Sequence, residues 1–240
     1  MENALPPLPD GTLNLLASLD AAAVRTARVG ILLPWANVAV EAELPRLGLV
    51  NTVFHHARLV PAARGTAIDA SFWEGLCAAS LDAVDSLSHV PLDSVILACT
   101  SAGFAEGCPL PIGVVTAFDA LVDTLAISNL HRVVLVTPYP AAVTRAESAA
   151  LAEAGISVLA GVGLGLVDGY PDVTRDQVRA LVNQLPAAAV READAVVLSC
   201  TGWHTLSLIS ALQRRLGRPV LSSNLAIGLM AARISAGVTA

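Results

Sequence analysis

Short, almost continuously apolar runs recur along this chain, separated by stretches with helical periodicity. RVGILL begins at Arg28, SVILA at Ser94, PIGVV at Pro111, RVVLV at Arg132, ISVLA at Ile156, AVVLS at Ala195 and PVLS at Pro219, with TVFHHARLV from Thr52 a weaker member. Runs this short, β-branched and without polar alternation read as parallel strands covered on both faces. Between them, FWEGLCAASLDAVDSL from Phe72 brings Trp73, Leu76, Ser80, Ala83, Val84 and Leu87 near one helical face. In TRDQVRALVNQL, Thr174 and Gln177 have capping-box spacing, and WHTLSLISALQRRLG carries Arg214 and Arg215 in a last turn before Gly217. Alternating strands and helices predict a three-layer α/β fold with parallel sheets, whose ligands bind beyond the carboxyl ends of the strands.

A longer period overlies this alternation. VGILL runs into Pro34-Trp35, and VVLV runs through Thr137 into Pro138-Tyr139; at nearly the same distance downstream, one strand ends in ACT and another in SCT. Aliphatic strands ending in Cys or Pro are common, but the agreement in order and spacing favours a duplicated unit. Two copies facing each other would bring Cys99-Thr100 and Cys200-Thr201 to opposite sides of one cleft. Asn37, ending PWAN, and Asn224, ending SSN, each follow a strand and add neutral hydrogen-bonding groups near its terminus.

Composition narrows the partners. Of 240 residues, 55% are hydrophobic and 14% charged, against a usual charged fraction of about 25%, so much of the surface is expected to be interior or a homo-oligomer interface. The net charge of −6 comes without a Lys- or Arg-rich tract, which argues against nucleic acids and acidic membranes. No long apolar run and no basic start before an apolar stretch are present, so the expectation is a soluble, cytoplasmic protein. Residues 1–27 read as an N-terminal extension, either a docking helix or partly disordered.

The four cysteines, at 77, 99, 108 and 200, have no C-x-x-C pair, and no His-x-x-x-His accompanies them. A metal site is therefore not expected, and in a reducing compartment all four should be thiols. Cys77 lies on a helical apolar stripe and Cys108 in a loop, and neither has a repeat partner. Cys99 and Cys200 do. At a strand tip just before a helix, backbone N–H groups and the helix dipole would lower a thiol's pKa. The same N–H groups, with the hydroxyls of Thr100, Ser101 and Thr201, could hold a carboxylate or an enediolate. Two thiols on opposite faces of a carbon can act as base and acid, or one can add to a polarised double bond. A single such cysteine would more simply be packing; two in equivalent positions point to function. Trp35 and Tyr139, placed at the cleft by the duplication, are expected to touch substrate. His55 and His56 read as structural, and His204 either tunes Cys200 or is an exposed helix residue.

PWANVAVE at 34–41, ACTSAGF at 98–104, TPYP at 137–140 and SCTGWHTLSLISALQRRLGRPVLSSN at 199–224 resemble the maleate cis-trans isomerase and arylmalonate decarboxylase branch of the aspartate/glutamate racemase superfamily, over nearly everything from Val29 to about Ala232. The resemblance implies two Rossmann-like lobes related by a pseudo-twofold axis: 28–118 plus 220–240 forming the first and 119–219 the second, with the site between them. It implies chemistry without cofactor or metal on a small carboxylate substrate. Decarboxylases of the group keep the cysteine matching Cys200, whereas isomerases and racemases keep both. By resemblance, Cys99 adds to an alkene carbon and Cys200 handles the proton. Asn37, Tyr139 and the backbone around Thr100, Ser101, Thr201 and Gly202 grip the carboxylates, with Asn224 in support. The expected activity is cis-trans isomerisation of maleate or a related small dicarboxylate. The alternatives are a racemase or decarboxylase of the same superfamily and, in another class, a carboxylate-binding protein without catalysis. Two departures set the chain apart: PWAN stands where the family has PSSN, and Gly169 stands where the isomerases have asparagine.

Overall fold

Every one of the apolar runs becomes a strand. The computed structural model describes residues 12–62, 67–105, 107 and 109–238, with strands β1 (Ala27–Leu33), β2 (Thr52–Arg58), β3 (Ser94–Leu97), β4 (Val114–Thr116), β5 (Arg132–Thr137), β6 (Ser157–Gly163), β7 (Ala195–Leu198) and β8 (Val220–Ser222). Among these residues they form two four-stranded parallel sheets, ordered β2-β1-β3-β4 and β6-β5-β7-β8. Helices α1 (Thr12–Ala21), α2 (Ala39–Glu43), α3 (Ala70–Ser86), α4 (Ala117–Ile127), α5 (Ala141–Glu153), α6 (Arg175–Val182), α7 (Ala187–Glu192), α8 (Leu206–Leu216) and α9 (Ser223–Ser235) flank them. Val133 to Val136 in β5 are fully buried. Covered on both faces, the strand needs no polar alternation.

The duplication extends to single hydrogen bonds. Asp93, just before β3, accepts from the N–H of Arg28 at 2.7 Å, and Asp194, just before β7, accepts from the N–H of Arg132 at 2.8 Å. Each pins the start of the first strand of its sheet to the third. The expected helix signals also hold: Thr174 and Gln177 form a reciprocal capping box on α6, and Gly217 ends α8 at φ 62°.

Each sheet ends by sending a helix towards the other lobe. After β4, α4 places Phe118, Leu121 and Leu125 in the core of the second sheet. After β8, α9 sets Ile227 and Ala231 on the first sheet, and Leu225, Leu229 and Ala232 in the core of the second. The boundary at 220 therefore needs correcting: β8 pairs with β7 and completes the second sheet, so the return crossing begins with α9. Helix α1 covers this junction through Leu15, Leu16 and Leu19. The extension is thus a docking helix where described; residues 1–11 lie outside the described part.

Candidate active site

Two residues beyond the central strands β3 and β7, the chain reaches Cys99 and Cys200, which both line one cleft of about 580 Å³ including its mouth. Trp35, Asn37, Thr100, Ser101, Tyr139, Thr201 and Gly202 line the same cleft. Asn224 does not. It is fully buried behind the Cys200 loop, where its amide donates to Glu43 at 2.8 Å.

The two sulfurs have different surroundings. Cys99 Sγ lies 3.4 Å from Ser101 Oγ, which also accepts from Trp73 Nε1 at 3.2 Å. The indole N–H takes up one lone pair of Ser101 Oγ, and either the hydroxyl or the thiol can supply the proton between Ser101 and Cys99. Cys200 sits at φ 117°, a conformation that a side chain resists. Its sulfur accepts from the N–H of Gly202 at 3.2 Å and from the Tyr139 hydroxyl. The expected lowering of the thiol pKa by helix termini is not what the structure gives: only a short 3-10 turn follows Cys99, and α8 starts at Leu206, well past Cys200. Burial instead raises both thiols, Cys200 to about 12, with the Ser101 hydrogen bond partly offsetting the rise at Cys99. At neutral pH Cys200 rests protonated, although the Tyr139 hydroxyl and the Gly202 N–H partly offset the effect of burial there as well.

The hydroxyls expected to grip a carboxylate are already engaged. Thr201 Oγ1 donates to the Ala98 carbonyl at 2.7 Å and accepts from Asn37 Nδ2 at 3.0 Å, across the lobes. Asn37 Oδ1 meanwhile accepts from the N–H groups of Ala39 and Val40, capping α2. Thr100 Oγ1 donates at 2.9 Å to Ser223 Oγ, which also accepts from the N–H of Cys200 at 3.1 Å. The two Cys-Thr loops are thus laced together, which fixes the spacing of the thiols. The main-chain N–H groups of Thr100 and Thr201, which meet no acceptor among the described residues, are the donors left for an anionic oxygen.

The far wall is aromatic. Trp35 packs on Phe72 with ring centroids 5.1 Å apart, and Tyr139 meets Tyr170 edge-on at 5.7 Å. Ile68 and Gly169 complete it, with Asp168 also in the lining; among the described residues no Lys, Arg or His lines the cleft. His204, the other group considered for tuning Cys200, is not part of the lining either. Cys77 is disulfide-bonded, against the expectation of four thiols; Cys108 lies outside the described residues. Among the described residues no three His, Cys, Asp or Glu side chains gather as a metal site, and no helix is long and apolar enough to cross a membrane.

Several contributors escaped the sequence reading. Trp73 looked like one more residue of a helical stripe, and Ser223 was hidden inside an SSN that seemed to matter for its asparagine. Glu147 is fully buried beneath Cys200, hydrogen-bonded to Ser199, and burial raises it to about 8. A single Glu in the middle of an Ala-rich helix gives no such signal.

A family model described as arylmalonate decarboxylase matches residues 101–239. The maleate isomerase of Alcaligenes faecalis is 24% identical over 226 residues, covering 83% of this chain and 87% of that protein. The arylmalonate decarboxylase of Bordetella bronchiseptica is 32% identical over 142 residues, 58% of each. Among solved structures, a variant of the Nocardia farcinica maleate cis-trans isomerase with a covalently bound succinylcysteine intermediate superposes with a TM-score of 0.75 at 24% identity, covering 87% of this chain and 92% of that one.

Proposed function

This chain belongs to the arylmalonate decarboxylase family, and on that footing we propose that it is a cofactor-independent isomerase that converts a small cis-alkene dicarboxylate, maleate or a close relative, into its trans isomer. The observation that carries the proposal is the pair of buried thiols, one from each sheet, that line one cleft. A decarboxylation needs only one proton donor, whereas addition and protonation from two sides use two thiols.

The Cys99 thiolate adds to one alkene carbon, forming the C–S bond, while the π electrons move onto the neighbouring carboxylate as an enediolate. N–H groups at Thr100 and Thr201 stabilise that charge, and Cys200, held protonated by burial, delivers a proton to the adjacent carbon. The former double bond is now single and rotates. Cys200 takes the proton back, the C–S bond breaks and the trans alkene leaves, restoring both sulfurs. Tyr139, hydrogen-bonded to Cys200 Sγ, steadies the thiolate of the intermediate.

The aromatic wall favours a second reading. Trp35, Phe72 and Tyr170 offer apolar surface where a dianion would want donors, which suits racemisation of a carboxylic acid bearing an apolar α-substituent. Incubation with maleate, followed by absorbance and by intact mass, separates the two. An absorbance change matching conversion of maleate into fumarate, with a Cys99 adduct trapped in Cys200→Ser, is the expected result. No turnover of maleate, together with solvent deuterium entering the α-carbon of an arylalkanoic acid, would establish the racemase instead.

A further inference from the structure

Glu43 is an acidic side chain of the first lobe that is only 2% exposed, yet every side-chain hydrogen bond found for it among the described residues reaches the second lobe or α9. Its Oε1 accepts from the N–H groups of Thr205 at 2.7 Å and Leu206 at 2.9 Å, capping α8 from outside the helix. Its Oε2 accepts from Asn224 Nδ2 at 2.8 Å and from Thr205 Oγ1 at 3.4 Å. Thr205 has no side-chain cap of its own on α8, so an acid from another lobe does what an N-cap residue ordinarily does. The segment so held is the one that leaves Cys200, and Asn224 is the neighbour of Ser223, which fixes the Cys200 N–H.

We infer that Glu43 is a positioning residue that clamps the Cys200 loop of the second lobe onto the first, and so sets where the Cys200 sulfur stands relative to Cys99. Buried charges persist where each lone pair has a donor, and removing one partner leaves the others unsatisfied. Here the unsatisfied groups would be the two N–H groups at the start of α8 and the Asn224 amide. Cys200 at φ 117° is held by its surroundings; with the clamp gone, the loop relaxes towards an ordinary backbone conformation. The sulfur then moves out of register. Glu41, two residues earlier, instead pairs with Arg58 at the protein's exterior, so it serves as a control of like charge on the same helix.

The inference rests on the two-thiol reading of the site, but its test does not. Rates of iodoacetamide labelling are read separately at Cys99 and Cys200 by peptide mass spectrometry on the folded full-length chain. Glu43→Leu is expected to raise Cys200 labelling at least fivefold, with Cys99 within twofold of wild type. Glu43→Gln keeps an acceptor for Thr205 and Leu206, and Asn224 can turn its unpartnered Oδ1 towards the new amide; it should restore most of the protection, and Glu41→Gln should change neither rate. With maleate, Glu43→Leu should lower kcat at least tenfold with KM within threefold. If Glu43→Leu does not fold, Asn224→Ala removes one donor to the clamp and should raise Cys200 labelling two- to threefold. Unchanged labelling ratios in a folded Glu43→Leu, or in Asn224→Ala where that variant is needed, overturn the clamp. Altered labelling with no maleate turnover even in wild type leaves the clamp standing and overturns the isomerase.

Discussion

At the scale of single residues, the cleft is governed by burial more than by charge. Glu147 is the clearest case, since its carboxyl is raised to about 8 by desolvation, only partly offset by the Ser199 hydrogen bond. The folded protein therefore holds a proton on Glu147 that the unfolded chain releases near pH 4.5. By linkage, the stability from this group is complete below the unfolded value and is lost as pH rises towards 8. Wild type should lose on the order of a few kcal/mol between about pH 5 and 8 relative to Glu147→Gln, a tenfold change in proton affinity being worth about 1.4 kcal/mol. Urea unfolding of both proteins across that range measures the difference, and parallel curves would mean that Glu147 is ionised when folded. The same logic orders the thiols. Replacing either Cys99 or Cys200 by Ala should cost at least a hundredfold in turnover, while Ser101→Ala, which removes the hydroxyl beside Cys99 Sγ, should cost about tenfold and move the acidic limb of the pH profile, set by ionisation of Cys99, upward.

At the scale of elements, much was legible, because strands and caps write themselves in local patterns. Apolar runs became β1 to β8, the Thr174/Gln177 box opened α6, and the Cys-Thr dipeptides lay at equivalent strand ends. What stayed hidden depends on contacts between distant segments: which way the Thr100 and Thr201 hydroxyls turn, that Asn224 faces Glu43 rather than substrate, and that Trp73 leaves its stripe to reach Ser101. Gly163, at the end of β6, shows how an element sets a distant group. A Cβ there would stand 2.6 Å from the Tyr139 carbonyl and 3.1 Å from Thr144 Oγ1, so only glycine lets β6 run this close to the turn carrying Tyr139. Gly163→Ala must push that turn, and with it the hydroxyl on Cys200 Sγ. Kinetics should show kcat falling about tenfold, and thermal melting a loss of about 1–3 kcal/mol; unchanged kcat would mean that the turn yields without moving the phenol.

At the scale of the whole molecule, the two lobes look separable by sheet but not by core. Each sheet is complete in itself, yet α4 and α9 are exchanged between them, so Phe118 and Leu121, which follow the first sheet, are buried with the strands of the second, and Ile227 and Ala231, which follow the second sheet, are buried against the first. Neither lobe can lose its own packing without exposing surface of the other. The hydrogen bonds from Asn37 to Thr201 and from Thr100 to Ser223 join the same two parts at the site. Unfolding should therefore be a single cooperative transition despite the duplicated architecture, with calorimetric and van't Hoff enthalpies equal. Leu229, 1% exposed on α9, tests this directly: Leu229→Ala should lower stability by about 2–5 kcal/mol while keeping one transition. It should also accelerate alkylation of Cys99 and Cys200 by the same factor, because both thiols would be reached through one global opening. Two resolved transitions, or acceleration at Cys200 alone, would mean that the lobes open independently and that the spacing of the thiols is set only by the local lacing around the cleft.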